Sequence, residues 1–325
     1  MRIDHRLLGW GLFFITLGAV PLAVRGNLVD SGTVLQAWRF WPLVLVAIGV
    51  GVILRETRIA AVGSLVVALT FGLLGGGVLA GGSFDLGAIA CGSSQASGPT
   101  VDRQGTFAAT ASVALEARCA DLNVHGIGGS GWTFSGLADA AHQPEITVAS
   151  DNLRVASGGD RTFFPGFGGP RERWDIGLPQ ASNLDLAATV DAGDAVIVLS
   201  AGTFSSIDVT INAASARLDL GGAQVAAMGV TVNAGDARIV LPDSSMTGDF
   251  TVNAGSIRLC TAADAGIRID TRENVTGSYD FGDAGLVKDG STWVSPNFGT
   301  TRASIDISAT ANVASISLNP KDGCT

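Results

Sequence analysis

One short phrase returns four times between residues 184 and 260, and this repetition constrains the fold more than any other feature of the chain. The copies start 21, 21 and 20 residues apart. Self-similarity at a nearly constant period of this length is typical of stacked supersecondary units. The repeats therefore predict a stack of equivalent coils. The four copies are VDAGDAVIVL from Val190, INAASARLDL from Ile211, VNAGDARIVL from Val232 and VNAGSIRLC from Val252.

Within each copy, apolar and polar residues alternate on both sides of a short corner. Ile207 and Val209 alternate with polar residues before one corner, and Leu218 and Leu220 do so after it. Such alternation predicts half-buried strands, so each repeat is expected to hold two strands joined by a corner. The corners read DAGD, NAAS, NAGD and NAGS, and Asn, Asp and Gly all favour bends.

A tight hairpin is the alternative interpretation of these corners, because Asn and Gly also favour primed turns. We favour a solenoid corner. The second copy has no Gly in its corner, and hairpins alone do not require repeats of equal length.

Stacked coils place equivalent residues about 4.8 Å apart. Side-chain amides in such a file can hydrogen-bond from coil to coil. The repeat alignment predicts an inward column of Ile197, Leu218, Ile239 and Leu259. It also predicts a corner ladder of Asn212, Asn233 and Asn253.

The same alignment places three arginines in one outward column, next to Val196. One interpretation is an anion-binding or partner-binding site. The other is a solvated face whose arginines pair with acids such as Asp208 and Asp219. The arginines are Arg217, Arg238 and Arg258.

The first 80 residues predict about three transmembrane helices, at 7–24, 40–54 and 59–80, so we expect the lipid bilayer to be a partner. Arginines near the first end and between the second and third runs favour a cytoplasmic amino terminus and an extracytoplasmic β-domain. Residues 1–90 carry a formal charge of +2, and the rest of the chain carries −11. An acidic soluble part argues against binding nucleic acid.

A Gly- and Ser-rich stretch at 81–106 is expected to be a linker, followed by an all-β solenoid domain over 107–325. All the cysteines lie after the last predicted span, and an even number there predicts disulfides, with three possible connectivities. Lipidation of the first cysteine is the less favoured alternative, because it lies far from the amino terminus. The cysteines are Cys91, Cys119, Cys260 and Cys324.

A glycine-rich segment at 157–173 carries Phe163, Phe164 and Phe167. Exposed aromatics in such a segment could contact lipid or a partner protein. Alternatively, they fold back as a lid over an open end of the core.

The sequence predicts no enzyme, cofactor or metal site. The three histidines have neither metal-ligand spacing nor a nucleophile motif, and the isolated cysteines do not form a zinc pattern. Paired carboxylates can hydrolyse glycosides, but we expect the acids near the corners to be solvated. Those acids are Asp191, Asp194, Asp219, Asp236 and Asp243.

Two segments resemble a known family. The pairing of GWGLFFITLGAVPLAV with FWPLVLVAIGVGVILR resembles the membrane region of LiaF-like envelope-stress proteins. RWDIGLPQ at 173–180, followed by LDL, DAGDAVIVL and NAGDARIVLP, resembles their associated toast-rack, or putative adhesin, domain. The resemblance implies a multi-pass regulator of envelope-stress signalling that acts on a membrane histidine kinase or a similar system. A passive surface or adhesion module is the alternative function.

Overall fold

The protein is described from a computed structural model. The structure describes residues 15, 91, 95–137, 143–158, 170–262, 264–272, 277–301, 303–320 and 323–324. Apart from Ile15, these residues belong to one compact unit, Asp85–Thr325. Within the described residues, no helix has the length and hydropathy needed to cross a membrane. The three predicted spans, except for Ile15, lie outside them.

The unit is all-β in its described part, and its strands join in one large sheet that turns back on itself. The strands are β1 (Thr100–Thr106), β2 (Thr110–Ala117), β3 (Ala120–Ile127), β4 (Gly131–Leu137), β5 (Glu145–Ala149), β6 (Asn152–Ala156), β7 (Glu172–Pro179), β8 (Asn183–Val198), β9 (Thr203–Asp219), β10 (Gln224–Val240), β11 (Met246–Cys260), β12 (Gly266–Arg272), β13 (Ser278–Asp280), β14 (Val287–Asp289), β15 (Thr292–Val294) and β16 (Ser304–Leu318).

Four long strands, β8 to β11, form the centre of the unit and carry the four copies of the repeat. Each pairs with the next in parallel, so that Ile197 aligns with Leu218, Leu218 with Ile239, and Ile239 with Leu259. All four side chains are fully buried. The predicted coil stack and its inward column are therefore confirmed. The hairpin alternative is wrong, because a hairpin pairs its strands antiparallel.

Each copy is one continuous strand that bends at its corner, where the sequence predicted two separate strands. Gly193, Gly235 and Gly255 occupy the same place in three corners, with φ of 122°, 133° and 118°. A Cβ added at Gly235 would lie 2.0 Å from the carbonyl oxygen of Ala214 in the previous coil. Glycine therefore lets the backbone bend and approach the neighbouring coil without ending the parallel ladder.

At the amino-terminal end, the coils do not follow chain order. β2 and β3 together form the coil that pairs with β8, through pairs such as Val113 with Leu186 and Val124 with Ile197. β6 and β7 directly precede β8 in the chain, yet they lie on the far side of β2 and β3. β5 caps β6, while β4 and then β1 cap β7, all in antiparallel orientation.

The coils at the carboxy-terminal end also depart from chain order, because the last strand, β16, lies between β11 and the two strands that follow β11 in the chain. β11 pairs with β16, as in Ile257 with Ile316, and β12 and β13 pair with the other side of β16. The last strand, β16, ends at Leu318, within the all-β domain predicted over 107–325. The order of the coils was not predicted. β16 matches β11 over nearly its whole length, whereas β12 has only seven residues, so the longer strand satisfies more of the ladder of β11.

Strand pairing also begins earlier than predicted. The expected linker at 81–106 contains β1, which pairs with β4 along its whole length, from Thr100 opposite Leu137 to Thr106 opposite Gly131. Val101 packs against the core. β-Branched residues at positions 100, 101 and 106 supply the strand preference that the Gly and Ser content of the stretch obscured.

Aromatic side chains close the two ends of the interior. At the amino-terminal end, the rings of Phe134 and Trp174 meet edge to face with centroids 5.8 Å apart. At the carboxy-terminal end, Phe281 and Trp293 do the same at 5.7 Å. Edge-to-face packing is a favoured geometry for aromatic pairs, so packed aromatic side chains fill the interior at each end of the stack.

Candidate binding faces

The bent strands give the stack two outward faces. We call the outward residues that follow the corner in β8 to β11 the arginine face, and those that precede the corner the hydroxyl face. Because parallel coils align in register, a residue type that recurs at one place in the repeat forms a column on one of these faces.

The arginine face carries the predicted outward column. Arg217 aligns with Val196 on one side and with Arg238 on the other, and Arg238 aligns with Arg258. Arg217 and Arg258 are exposed, Arg238 is half-buried, and Val196 retains 39% of its exposure. The structure thus brings the three arginines together as the repeat alignment predicts. Their role in binding remains a prediction.

The acids expected to neutralise the column do not do so. Asp208 precedes its corner and belongs to the hydroxyl face, so its predicted pairing with the arginines is wrong. Asp219 lies two residues after Arg217 on the same strand. In the described part of the chain, no ion pair within 4.0 Å joins a carboxylate to Arg217 or to Arg258.

Guanidinium groups at strand spacing can bind anions in a regular array. Each fork can donate two parallel hydrogen bonds to a carboxylate or a phosphate. The backbones that carry successive arginines lie roughly 4.8 Å apart along the column. This face can therefore bind a row of carboxylates or phosphates on another molecule.

Three of the five corner acids form hydrogen bonds or ion pairs with other side chains within the stack. Asp191 Oδ1 accepts a hydrogen bond from Asn212 Nδ2 at 2.6 Å, Asp194 Oδ2 lies 3.4 Å from Arg171 Nη1, and Asp236 accepts one from the Ser256 hydroxyl. In the described residues, no three or more His, Cys, Asp or Glu side chains are grouped so that they could hold a metal ion.

The asparagine ladder forms at the corners. Asn233 Nδ2 donates to Asn212 Oδ1 at 2.6 Å, and Asn253 Nδ2 donates to Asn233 Oδ1 at 2.7 Å. Asn312 of the inserted β16 extends the ladder by donating to Asn253 Oδ1 at 2.6 Å. The predicted ladder is confirmed, and it stiffens the edge between the two faces.

The hydroxyl face carries a column of threonines that was not predicted from the sequence. In β8 to β11 and in β16, a threonine stands two residues before the corner Asp or Asn, and these threonines align from strand to strand. The repeated T-x-N or T-x-D spacing was the signal that could have revealed it. The column consists of Thr189, Thr210, Thr231, Thr251 and Thr310.

The hydroxyl face otherwise carries mostly short side chains. Asp208 and Asp249 flank Gly229 in one of its columns, and a Cβ at Gly229 would meet the Asp208 carboxylate.

At the end of the stack, Arg268 of β12 forms a bidentate ion pair with Asp306 of β16. The Asp306 carboxylate accepts these hydrogen bonds and raises the pKa of the Arg268 guanidinium.

The four cysteines form two disulfides. Cys91 bonds Cys119 and Cys260 bonds Cys324, with Cα atoms 5.5 Å and 5.6 Å apart. One of the three connectivities left open by the sequence is thereby selected. The first bond ties the chain before β1 to the corner between β2 and β3, and the second ties the end of β11 to the chain after β16.

A polar cluster surrounds the first disulfide. Arg171 contacts Asp121 at 3.1 Å, and Arg173 donates to Gln95 at 2.8 Å. Beside them, the buried Glu172 accepts a hydrogen bond at 2.8 Å from the Trp174 indole. These bonds anchor the chain preceding β1 to the start of β7. Phe163, Phe164 and Phe167 lie outside the described residues, so their predicted role stays a prediction.

A cleft of about 400 Å³ opens beside the carboxy-terminal cap. Ile267, Leu286 and Leu318 form part of its apolar lining, while Asn297 and Asn319 supply amide groups. Among the described residues that line the cleft, none carries a charged side chain. It offers a neutral recess and does not contribute to the anion-binding geometry of the arginine face.

The pairing of the strands defines the class of protein: an all-β domain built on a parallel coil stack. No family model matches the chain, and no curated protein matches it. Among solved structures, a putative cell adhesion protein from Clostridium sporogenes aligns with a TM-score of 0.46 and 14% identity, over 68% of this chain and 99% of its own.

Two further structures are putative adhesins. One from Bacteroides fragilis gives a TM-score of 0.28 at 9% identity, over 69% of this chain and 99% of its own. One from Parabacteroides merdae gives 0.25 at 10% identity, over 70% and 98%. The similarity of the chain to these three proteins is therefore low in both sequence identity and TM-score. The fold of the chain is assigned from the pairing of its strands alone.

Proposed function

We propose that this chain is a non-enzymatic, membrane-anchored module of the cell envelope that binds a partner through its arginine face. The observation that carries the proposal is the column of arginines on a rigid stack, in which Arg217 and Arg258 are exposed and form no ion pair with a described carboxylate. Cations held in fixed register on paired strands are suited to bind another molecule, because little backbone freedom remains to be lost on binding.

The partner is expected to present carboxylates or phosphates. The arginine column supplies bidentate donors along one line, so a row of anionic groups on an envelope protein or a wall polymer would match it. Val196 extends the column with an apolar side chain that retains 39% of its exposure, which gives the same face a hydrophobic contact at one end.

The two disulfides support a location outside the cytoplasm. Disulfides persist in oxidising compartments and are rare in the reducing cytosol. Cys91–Cys119 and Cys260–Cys324 both fall after the predicted membrane spans. This agrees with the orientation that the arginines of the amino-terminal region favour, with the amino terminus in the cytoplasm and the β-domain outside.

Regulation of envelope-stress signalling is the finer form of the proposal, with a membrane histidine kinase or a similar protein as the target. It rests on the resemblance of residues 9–24 and 40–55 to LiaF-like membrane regions. A passive surface or adhesion module is the alternative. Deleting residues 107–325 and measuring an envelope-stress reporter separates the two, since loss of a passive module leaves the reporter unchanged.

The binding face is tested by photo-crosslinking in cells. A photoreactive residue in place of Val196 should capture a partner, and the triple substitution R217Q, R238Q and R258Q should reduce the yield by about tenfold or more. The matched control removes three arginines elsewhere, through R103Q, R154Q and R272Q. Equal yields in the two triple variants would show that the arginine face does not bind the partner.

A further inference from the structure

The stack has four outer strands, and their outward edges have no strand partner among the described residues. β5 and β14 end the sheet on the side of the hydroxyl face, while β1 and β13 end it on the side of the arginine face. An outer strand presents unpaired backbone donors and acceptors, and can accept a further strand unless charge or short length prevents it.

Three of the four edges are protected. β1 carries the exposed charges of Asp102 and Arg103 near its centre. β14 has three residues, two of which are Lys288 and Asp289. β13 also has three residues and ends at Asp280. Charged and very short edge strands resist pairing with other chains.

β5 lacks this protection. Its sequence is EITVA, so its only charge is Glu145 at the first position, and three of its five residues are β-branched. Val148 retains 51% of its exposure although it is a large apolar residue. β5 therefore combines strong strand preference with an open, weakly charged edge.

The inward side chains of β5 extend the columns of the core. Ile146 aligns with Val155, and Val148 aligns with Leu153. Val155 and Leu153 are fully buried, and Ile146 packs against the core, but Val148 has no covering strand in the described residues. Another strand added at this edge would continue the column and cover Val148.

We propose that β5 pairs antiparallel with β5 of a second copy of this chain, so that the sheet continues across a twofold axis. The register that centres the axis on Thr147 sets Ile146 opposite Val148 of the other copy, and Glu145 opposite Ala149. Both cross-strand apolar pairs join β-branched residues, which stabilises adjacent strands. The two carboxylates then lie at opposite ends of the paired segment.

Self-pairing is favoured because the strand is complementary to its own reversed sequence. A parallel arrangement in register would place Glu145 directly opposite Glu145, which is destabilising. An isologous contact of this kind also closes at two copies and leaves no further open β5 edge. The proposal goes beyond partner binding by the arginine face and does not depend on it.

Cysteine trapping of the full-length protein in membranes tests the proposal. Residues directly opposite in antiparallel strands have Cα atoms about 4.5 to 5.5 Å apart, within reach of a disulfide. T147C should therefore give a disulfide-linked dimer, because Thr147 meets its own copy. E145C alone should not, but E145C co-expressed with A149C should.

The matched control is Q104C on the protected edge strand β1, where Gln104 is exposed. Absence of a dimer with T147C would overturn the proposal. So would equal dimer yields from T147C and from Q104C, or from T147C and from E145C alone, because unspecific collision and parallel pairing do not follow the predicted register.

A charge-exchange experiment gives an independent readout. T147E and T147K should each reduce trapping of a second reporter pair, E145C with A149C, by about tenfold or more, since each places like charges directly opposite. Co-expressing the T147E chain with the T147K chain should restore it. Failure of the mixture to recover the dimer would also contradict the proposed pairing.

Discussion

The side-chain amide of Asn233 donates from Nδ2 to Oδ1 of Asn212 at 2.6 Å, across the gap between two coils. The four side-chain hydrogen bonds of the ladder run in this direction, from the later coil in the stack to the earlier one. The first position therefore needs only an acceptor, and Asp191 occupies it. An ionised carboxylate accepts but cannot donate, so the chemistry of each position matches its place in the ladder.

Asn212→Asp should destabilise the stack at neutral pH. The substitution removes the donor to Asp191 and sets a second carboxylate against it, so we expect the free energy of unfolding to fall by about 1–3 kcal/mol. The neighbouring carboxylate raises the pKa of the introduced acid in the folded state above its unfolded value. The cost is therefore present above that raised pKa and is relieved as the pH falls through it, because the protonated acid can donate.

Urea unfolding of the Asn212→Asp variant at pH 7 and at about pH 4.5 measures this change. Asn152→Asp is the control, since Asn152 is exposed on β6 and its side-chain amide donates to the Ala149 carbonyl at 3.3 Å, away from the ladder. If both variants lose the same stability at both pH values, the ladder does not contribute as described.

Gly235→Ala should be among the most damaging small substitutions in the chain. Gly235 has φ of 133°, and an added Cβ would lie 2.0 Å from the carbonyl oxygen of Ala214. We expect a loss of about 3 kcal/mol or more, or failure to fold, because both the backbone conformation and the contact are unfavourable. Gly128→Ala is the control, since no atom lies within 4 Å of its added Cβ.

Thermal unfolding of the two glycine variants provides the measurement. A Tm for Gly235→Ala within about 2 °C of that for Gly128→Ala would contradict the close approach of the two coils at this corner.

Removing the second disulfide should weaken the end of the stack. Cys260 and Cys324 are 64 residues apart in sequence, and the bond closes a loop that contains β12 to β16. A cross-link over a loop of this length is worth about 4 kcal/mol through its effect on the unfolded chain. We expect C260S/C324S to lose stability of this order in urea unfolding, with peptide mapping of the parent protein to confirm the Cys91–Cys119 and Cys260–Cys324 pairs.

The central coils could be predicted because the repeat supplies both the strands and their register. Once VNAGDARIVL is aligned with VNAGSIRLC, the columns through Ile239 and Leu259, and through Arg238 and Arg258, follow from the alternation alone. The bend inside a continuous strand could not be predicted in this way. It depends on how closely Gly235 approaches Ala214, and this distance is a property of the stacked coils.

The order of the end coils could not be read from alternation, which identifies strands but not their partners. Ile267 and Ile269 of β12 alternate in the same way as Ile305 and Ile307 of β16, so alternation does not show which of the two strands stacks on β11. β16 is in fact a degenerate further copy of the repeat, with Asn312 at its corner. The sequence T-A-N at 310–312 matches the T-x-N pattern of the repeat and could have identified β16 as a further copy.

The candidate site was predicted in part for the same reason. The repeat placed the arginines in one column, but Asp208 was expected beside them because it is close in sequence to Arg217. A corner lies between the two residues, so Asp208 belongs to the hydroxyl face and Arg217 to the arginine face. The threonine column could have been predicted from its T-x-N or T-x-D spacing. The open edge of β5 could be recognised only in the assembled stack, because it depends on which strand has no further partner.

Hydrogen exchange should reveal the inserted position of β16. A strand near the end of a chain ordinarily exchanges quickly, because termini fray. β16 is instead paired on both sides, with β11 along its length and with β12 and β13 opposite. Ile307 and Ile316 are buried within it. We therefore expect amides of β16 to be protected to a similar degree as those of β11, within about tenfold.

The three-residue strands β14 and β15 provide the internal control for this measurement. They pair with each other, but β14 has no further partner among the described residues, and Val287 keeps 64% of its exposure. Their amides should exchange at least about a hundredfold faster than those of β16, since local opening frees them without disturbing the stack. Faster exchange in β16 than in β14 would mean that the last strand is a loose terminal addition and not a coil held between two others.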